Sequence, residues 1–421
     1  MRVAFLHPDL GIGGAEQLVI NLALTCKDLG WYVKIFTPSY DPNRAFAPTK
    51  DGTLDVEVRG NLFPRRIFGR FHALCEYIRM LLAAIYLVLF GGKFDMIIVD
   101  QIPLPIPILN LRFKTFFYCH FPDKLLCVER KSLIKRVYRF FIDLIEEMTM
   151  IFAHMIVVNS KYTQQIFREN FRIISKLRNP PSVVYPCIEL KDYDRFGKVN
   201  KDDLLKVKGL ENLSNLNLNK TKVIVSLNRY ERKKNLNLAV ESFNSFMSTR
   251  KNDDKNYILI LAGGYDVSLN ENKEVLENLQ SYEGFKEKIF FLKNISNDER
   301  SIILKTANVV LYTPKNEHFG IVPVEAMYCG AFVIAHKSGG PTESVKDGET
   351  GYLLDNEDSS LWAKKIDSFF NSSQFDSSDN MNNKKLVDKL RSHVIDNFSL
   401  VSMKQDFEKV VCTKFDKLKK K

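Results

Sequence analysis

Short apolar runs rich in β-branched and aromatic residues alternate with helical patterns along the whole chain, and this alternation restricts the possible folds more than any other feature. Between the first two runs, apolar residues from Leu18 to Leu29 recur at helical spacing, and Gly30 ends the predicted helix. Strands and helices in alternation are typical of parallel sheets covered by helices. The sequence therefore predicts an α/β protein with doubly wound parallel sheets.

The predicted strands form two series. The first series is Val3–Leu6, Val33–Phe36, Met96–Val99, Thr115–Cys119 and Met155–Val158, and the second is Val223–Leu227, Tyr257–Leu261, Ile289–Leu292, Val309–Tyr312 and Phe332–Ala335. A Pro-rich and then polar stretch separates them, and 421 residues suit two domains. We expect an N-terminal domain over 1–188, a second domain over 189–385, and a helical segment over 386–421 that packs back across the cleft toward the first. Two such domains facing each other place a deep cleft at the carboxyl ends of both sheets.

The net charge of +11 is concentrated partly in one basic region of the first half. Its residues are Arg112, Lys114, Lys124, Arg130, Lys131, Lys135, Arg136 and Arg139. Such a region attracts nucleic acid, anionic lipid or a phosphate-bearing substrate, although a solvated basic face has the same composition. Because the region lacks the interleaved aromatic residues of RNA-binding motifs, nucleic acid is not expected as a partner.

The cysteines and the longest apolar run of the sequence indicate the cellular compartment and the mode of membrane attachment. Seven cysteines without a C-x-x-C pair predict reduced thiols in the cytosol, and no secretory signal is visible. The run Met80–Phe90 has about half the length that spans a bilayer. It is interpreted either as a buried helix or as a segment lying in a membrane interface. We expect peripheral membrane attachment through this run and the basic region.

A glycine-rich turn follows the first predicted strand. Gly11, Gly13 and Gly14 directly precede a predicted helix, where backbone N–H groups can contact an anion. The spacing is not that of the G-x-G-x-x-G dinucleotide motif, and no acidic residue ends the next strand. A nicotinamide-dependent enzyme is therefore disfavoured, although a glycine turn without a ligand remains possible.

His120 follows another predicted strand, within Tyr118–Asp123. At the carboxyl end of a strand in an α/β domain, a neutral imidazole can bond a sugar hydroxyl or a phosphate. A purely structural hydrogen bond is the alternative interpretation.

Two charged motifs follow strands of the second series. Asn228–Asn235 contains Arg229 and Lys234. The planar guanidinium of arginine and the compact ammonium of lysine are both suited to binding a diphosphate. Glu317 and Glu325 lie eight residues apart around a predicted helix start. Their carboxylates can accept hydrogen bonds from vicinal hydroxyls, and the N–H groups at the helix start can bind phosphate or sugar oxygens.

Together, the glycine turn, the basic R-x4-K pair and the E-x7-E string resemble the retaining glycosyltransferases of family four, which have the GT-B fold. More narrowly, Tyr118–Asp123, Asn228–Asn235, 262–266, 314–325 and 338–341 resemble the eukaryotic mannosyltransferases that add the second and third mannoses of the dolichol-linked N-glycan precursor. The resemblance runs from Met1 to about Asp355. It implies two Rossmann-like domains of the GT-B type.

The resemblance also implies roles for the donor residues. Arg229 and Lys234 would bind and stabilise the GDP diphosphate, Glu317 would hold mannose hydroxyls, and Glu325 would accept the ribose hydroxyls. The remaining residues that it places at the donor are Gly263, Gly320, Ile321 and Val322.

On the acceptor side, the resemblance implies a phosphate or acceptor loop and a reacting-sugar contact. Gly11, Gly13 and Gly14 would form the loop, and His120 would lie beside the reacting sugar. Catalysis would depend on Glu317 together with His120, Arg229 and Lys234, with no metal and no cofactor.

The implied partners are GDP-mannose, a dolichol-diphosphate-linked oligosaccharide, the cytosolic face of the endoplasmic reticulum membrane, and other enzymes of the same pathway. Two alternatives remain open: a family-four enzyme with a UDP-sugar donor, and a non-catalytic protein that keeps the fold as a scaffold. The scaffold predicts damage to Lys234, Glu317 or Glu325, and all three are present.

Overall fold

The computed structural model describes residues 1–67, 71–126, 133–250, 256–372 and 380–419. It contains two compact units, of which the first is residues 1–187 with the helix from Leu400, and the second is Ile188–Ser399. The division between the units lies one residue before the expected boundary at 188. The helical segment expected over 386–421 is not one body, because its first part belongs to the second unit and its last helix to the first.

The first unit contains a seven-stranded parallel sheet in the order β3-β2-β1-β4-β5-β6-β7. Its strands are β1 Arg2–Leu6, β2 Tyr32–Thr37, β3 Asp55–Val58, β4 Met96–Asp100, β5 Lys114–Cys119, β6 Met155–Val158 and β7 Ser182–Val183. Its helices up to residue 187 are α1 Gly14–Asp28, α2 His72–Phe90, α3 Ile106–Leu109, α4 Asp123–Leu126, α5 Leu133–Met150, α6 Lys161–Asn170 and α7 Arg172–Leu177. The side chain of Ser160 accepts a hydrogen bond from the Thr163 amide and so caps the N-terminus of α6.

The second unit contains a six-stranded parallel sheet in the order β10-β9-β8-β11-β12-β13. Its strands are β8 Thr221–Leu227, β9 Asn256–Gly263, β10 Ile289–Lys293, β11 Val309–Tyr312, β12 Phe332–His336 and β13 Gly351–Leu354. Its helices are α8 Leu190–Asp194, α9 Leu236–Thr249, α10 Asn270–Ser281, α11 Asn297–Thr306, α12 Ile321–Cys329, α13 Pro341–Ser344, α14 Ser359–Asn371 and α15 Asn380–Phe398. The last helix, α16 Leu400–Lys419, returns to the first unit.

Both faces of the first sheet are buried, as expected for a doubly wound fold. Val3 and Phe5 belong to a core cluster that includes residues of α1 and α16, while Ala4 and Leu6 point to the opposite cluster with residues of α2. This alternation follows from the two-residue period of a strand. The sheet is therefore a central layer between two layers of helices.

All ten predicted strands are present, and the three strands that were not predicted lie at sheet edges. The strands β3, β7 and β13 are the outermost members of their sheets. Edge strands bury less side-chain surface, so their sequences carry weaker apolar signals. The four residues of β3, for example, are exposed or half-buried.

The apolar run Met80–Phe90 is the second half of α2, a helix of 19 residues. Met80, Ala83 and Leu87 on one side of the helix are fully buried in the first unit, whereas Phe90 at its end is exposed. By length and composition alone, α2 is sufficient to cross a membrane. The segment expected to lie at a membrane is thus a helix of 19 residues, longer than the apolar run of 11 residues from which it was predicted.

The basic region is less continuous than expected. Arg139 is buried and forms ion pairs with Asp123 and Asp143, so it contributes no positive surface. Arg136 is exposed on α5. Two further members of the predicted region, at positions 130 and 131, lie outside the described residues, as does the side chain at position 135.

Candidate active site

The predicted donor residues of the second unit collect at one edge of its sheet. Because all strands run parallel, their carboxyl ends meet at the same edge. Arg229 and Lys234 follow β8, Gly263 ends β9, and Glu317 follows β11. These four positions are far apart in sequence, and the strand order β9-β8-β11 makes their strands neighbours.

Lys234 and Glu317 form a buried ion pair. The Lys234 ammonium lies 2.6 Å from Oε1 of Glu317, and the two side chains are 10% and 22% exposed. The backbone carbonyl of Lys234 accepts a hydrogen bond of 2.8 Å from the hydroxyl of Thr313, which fixes the turn after β8 to the end of β11. Burial disfavours the charged form of Glu317, but Lys234 outweighs this effect, so the pKa of Glu317 is lowered.

Tyr312 is the residue around which the predicted donor groups gather. Its hydroxyl lies 3.3 Å from Oε2 of Glu317, to which it donates. Burial, followed by the charges of Glu317 and Glu325, raises the pKa of Tyr312 well above its usual value, and Arg229 acts in the opposite direction. Both carboxylates and the guanidinium therefore lie within electrostatic reach of one protonated phenol.

Arg229 is an exposed cation of this edge. Its side chain is 60% exposed, and its guanidinium lies 2.8 Å from Oε1 of Glu231, whose other oxygen lies 3.3 Å from the Lys233 ammonium. An exposed guanidinium held on one side by a carboxylate keeps further N–H donors for a ligand. Arg229 can therefore bind an anion without first losing a buried partner.

Two glycines allow the close backbone approaches that form this edge. The backbone of Asn228 lies where a Cβ of Gly263 would be, so only glycine fits there. Gly320 has φ +76° and precedes α12, and its Cβ would lie 3.0 Å from the ring of Tyr312. This turn leads into α12, whose first N–H groups, from Ile321 and Val322, have no acceptor within the helix itself.

Glu325, the residue expected to accept ribose hydroxyls, has partners within the second unit. It is buried on α12, accepts a hydrogen bond of 2.7 Å from the hydroxyl of Tyr193, and pairs with the guanidinium of Arg300. A carboxylate has about four acceptor positions, so these two partners leave capacity for further donors. Glu325 thus belongs to a network within the second unit that its sequence spacing did not indicate.

The first unit brings its predicted residues to the carboxyl edge of its own sheet. The turn with Gly11 and Gly13 follows β1, and Gly14 begins α1. His120 directly follows β5, and its backbone carbonyl accepts a hydrogen bond of 2.9 Å from the Asn159 side chain.

Two residues of this edge were missed from the sequence, namely His7 and Asp100. Nε2 of His120 lies 3.0 Å from Oδ2 of Asp100, and Nδ1 of His7 lies 2.9 Å from both oxygens of the same carboxylate. His7 follows β1 directly and Asp100 ends β4. The rule that identified His120, a polar residue at the carboxyl end of a strand, also identifies both of these residues.

The comparisons with known proteins agree with this architecture. Residues 12–192 match the family Glycosyltransferase Family 4, and residues 211–386 match Glycosyl transferases group 1. Sucrose-phosphate synthase from Thermosynechococcus elongatus superimposes with a TM-score of 0.72 at 20% identity, covering 99% of both chains. The catalytic domain of starch synthase IV from Arabidopsis thaliana gives a TM-score of 0.71 at 16% identity, over 98% of this chain and 99% of that one. The fold is that of the GT-B glycosyltransferases.

Relatives with higher sequence identity identify the family within this fold class more specifically. The alpha-1,3/1,6-mannosyltransferase ALG2 of Dictyostelium discoideum is 41% identical, over 98% of each chain. The ALG2 protein of Homo sapiens is 42% identical, over 84% of this chain and 83% of its own. The chain belongs to the ALG2 family of alpha-1,3/1,6-mannosyltransferases, which act in N-glycan precursor assembly.

Proposed function

We propose that the protein transfers mannose from GDP-mannose, with retention of configuration, to Man1GlcNAc2-diphosphate-dolichol, and that α-1,3 and α-1,6 linkages give Man3GlcNAc2-diphosphate-dolichol. The observation that carries this proposal is the buried pair of Lys234 and Glu317 beside the exposed Arg229. A cation pair and a carboxylate at one sheet edge match the diphosphate and the hydroxyls of a sugar nucleotide.

In the proposed mechanism, fixed positive charge stabilises the leaving group. Cleavage of the sugar–phosphate bond develops negative charge on the departing phosphate, which Arg229 and Lys234 face in this arrangement. Preorganised charge of this kind supplies much of the catalytic effect in enzymes. The mechanism requires no metal and no cofactor, because the two side chains provide the positive charge.

The carboxylates of the second unit act on hydroxyls in this proposal. Glu317 accepts from the mannose while Lys234 turns partly toward the phosphates. Glu325 accepts from the ribose with its remaining acceptor positions, held in place by Tyr193 and Arg300. The amides at Ile321 and those adjoining it contact sugar or phosphate oxygens.

We assign the acceptor to the first unit. His120 contacts a sugar hydroxyl, and the turn with Gly11, Gly13 and Gly14 contacts the acceptor or a diphosphate. The lipid of such an acceptor requires a membrane surface, which in this proposal is the cytosolic face of the endoplasmic reticulum.

The outward face of α5 supports a membrane partner. Among the side chains of this helix that the structure describes, the exposed ones are Arg136 near its start and the apolar Val137, Phe140, Phe141, Leu144 and Met148. Ionisable residues such as Arg139 and Glu146 are buried, and Glu146 accepts from the Asp123 and Lys124 amides. A helix with apolar residues outside and ionisable groups inside is suited to an apolar surrounding.

Liposome flotation tests the membrane proposal. Changing Phe140 and Phe141 to aspartate should reduce binding to vesicles of neutral and anionic phospholipid. The same change at Val267, an exposed apolar residue of the second unit, is the matched control and should have little effect. Equal binding of all three proteins at low salt would contradict attachment through α5.

Incubation with GDP-mannose and a short-lipid acceptor, followed by mass and linkage analysis, tests the reaction. We expect the addition of two hexoses, and addition of none would refute the proposal. Protection from heat separates the donors, because a ligand at 100 times its Kd adds about 2.7 kcal/mol of stability. GDP-mannose should protect and UDP-glucose should not.

A further inference from the structure

Three adjacent strands of the first unit end in a connected group of titratable side chains. His7, Asp100 and His120 follow or end β1, β4 and β5, which are neighbours in the sheet. Asp100 is 2% exposed and His7 is fully buried, whereas the His120 side chain is 18% exposed. The group therefore runs from the protein interior to the surface at the carboxyl edge of the sheet.

The partners of His7 determine its protonation. Its Nε2 lies 2.8 Å from the backbone carbonyl of Asp9, which can only accept, so Nε2 carries a proton. Its Nδ1 lies 2.9 Å from both oxygens of Asp100, and an ionised carboxylate also only accepts. Both ring nitrogens therefore donate, and His7 is a buried imidazolium that balances the charge of Asp100.

The pKa values agree with this assignment. Burial lowers the pKa of His7, but the charge and hydrogen bond of Asp100, together with those of Glu16, outweigh burial and raise it to about 10. Burial raises the pKa of Asp100, but the charge of His7 and the contacts with His120 leave it lowered. Glu16 also faces His7, with a carboxylate oxygen 3.8 Å from Nε2.

An ionised Asp100 in turn determines the form of His120. Since the carboxylate only accepts, Nε2 of His120 must carry the proton in the 3.0 Å hydrogen bond. In the neutral imidazole, Nδ1 then has a lone pair. The ring is held further by its contact with Tyr118, with ring centroids 5.1 Å apart.

We propose that Asp100, balanced by the His7 imidazolium, is a positioning residue that holds His120 with Nδ1 as an acceptor for a sugar hydroxyl. The inference rests on the proposed function, which supplies the sugar. The hydroxyl belongs either to the acceptor or to the transferred mannose, and both present the same chemistry to Nδ1.

Kinetics with both substrates test the positioning role. D100A removes the oxygen that fixes the ring and should lower kcat/KM about 100-fold, as expected when a reacting group is misplaced. D100N keeps one acceptor oxygen and should stay within about 10-fold of wild type. A loss confined to the KM of the acceptor assigns the hydroxyl to the acceptor, and one confined to the KM of GDP-mannose assigns it to the donor sugar.

A double-mutant cycle separates positioning from a general structural effect. If Asp100 acts through His120, D100A should cause less than about a twofold further loss in an H120A background. An undiminished loss in that background overturns the proposal. E147Q is the matched control, since Glu147 is another buried carboxylate of the same unit and accepts from the Ile173 and Ile174 amides. It should leave kcat/KM unchanged.

Nitrogen NMR of the full chain labelled at histidine provides a readout that does not depend on activity. Near neutral pH, we expect His7 with both ring nitrogens protonated, and in the neutral form of His120 we expect the proton at Nε2, with resonances assigned from H7Q and H120A. Protonation of His120 at Nδ1 instead would overturn the inference even if D100A failed to fold. If the wild-type protein transferred no mannose, the proposed function would fail, while this spectrum would still decide the hydrogen-bond arrangement.

Discussion

Replacing Lys234 with methionine should destabilise the second unit because it leaves Glu317 buried without its cation. Methionine preserves much of the apolar stem and removes the ammonium that lies 2.6 Å from the carboxylate. Breaking a buried pair by removing one partner typically costs about 3–5 kcal/mol. Since Glu317 is 22% exposed and keeps the hydroxyl of Tyr312, we expect the lower end, about 3 kcal/mol.

The cost should depend on pH in a defined direction. In the wild type, the pKa of Glu317 is lowered, so its pair contributes stability above the unfolded pKa of about 4.3. This contribution is lost as the pH falls through the lower folded pKa. Without Lys234, burial raises the pKa of Glu317 instead, so K234M is least stable at high pH relative to wild type. The difference between the two proteins should therefore shrink as the pH falls, first through the raised pKa of Glu317 in K234M and then toward its lowered pKa in the wild type.

Thermal unfolding followed from pH 8 to pH 4 measures both effects. For a unit of this size, 1 kcal/mol corresponds to about 2–4 °C, so K234M should unfold about 6–12 °C lower at pH 8. Adding E317Q should recover much of the loss, because a neutral amide needs no counter-charge. K233M is the matched control, since Lys233 is 64% exposed and its removal should change stability by less than about 0.5 kcal/mol.

Two results would refute the reasoning about this pair. One is an equal deficit of K234M at pH 8 and pH 4, and the other is a double variant no more stable than K234M. Activity is a separate readout. K234M should lower kcat about 10²–10³-fold, because it removes a preorganised donor, the Lys234 ammonium.

Three further changes test other parts of the structure. G320A should lower stability by about 1–2 kcal/mol, measured by urea unfolding, because Gly320 has φ +76° and its Cβ would press on Tyr312; no change would contradict the strained turn. Y193F removes a 2.7 Å hydrogen bond to the buried Glu325 and should cost about 1.5–3 kcal/mol in the same assay. Burial raises the pKa of Glu146 to about 8, so wild-type stability should fall as pH rises from about 4.3 through 8. E146Q should make stability fall less steeply over this pH range. An unchanged pH profile in E146Q would contradict the assignment of the fall to Glu146.

The fold was predictable because each interior strand is apolar on both faces. Val223–Leu227 and Tyr257–Leu261 are almost completely buried in the structure, and runs of this kind stand out in a sequence without any alignment. Three of the four edge strands were missed for the same physical reason, since an outer strand such as Asp55–Val58 is half solvated. The boundary between the units was visible as a change in composition near residue 188, but the return of α16 to the first unit was only expected in outline.

The site was predictable as far as the rule about strand ends applies. Arg229 and His120 both follow strands, so the rule places them at the functional edge of their sheets. Partners that lie across the structure were not predictable, because pairing depends on strand order and side-chain direction. The bond of Tyr193 to Glu325 joins residues 132 positions apart, and no local pattern connects them.

Pairing also changes how the predicted ligand residues must work. The family resemblance implied that Lys234 binds phosphate and Glu317 binds hydroxyls, and the structure joins the two side chains at 2.6 Å. A ligand that draws the ammonium toward a diphosphate weakens this pair, and the carboxylate then needs new donors, because an isolated buried charge is costly. The sugar hydroxyls of GDP-mannose provide such donors and GDP alone does not. We therefore expect GDP-mannose to bind more tightly than GDP in the wild type, and E317Q to reduce this difference. Calorimetric titration of both ligands measures it, and an unchanged difference in E317Q would show that the two residues act separately.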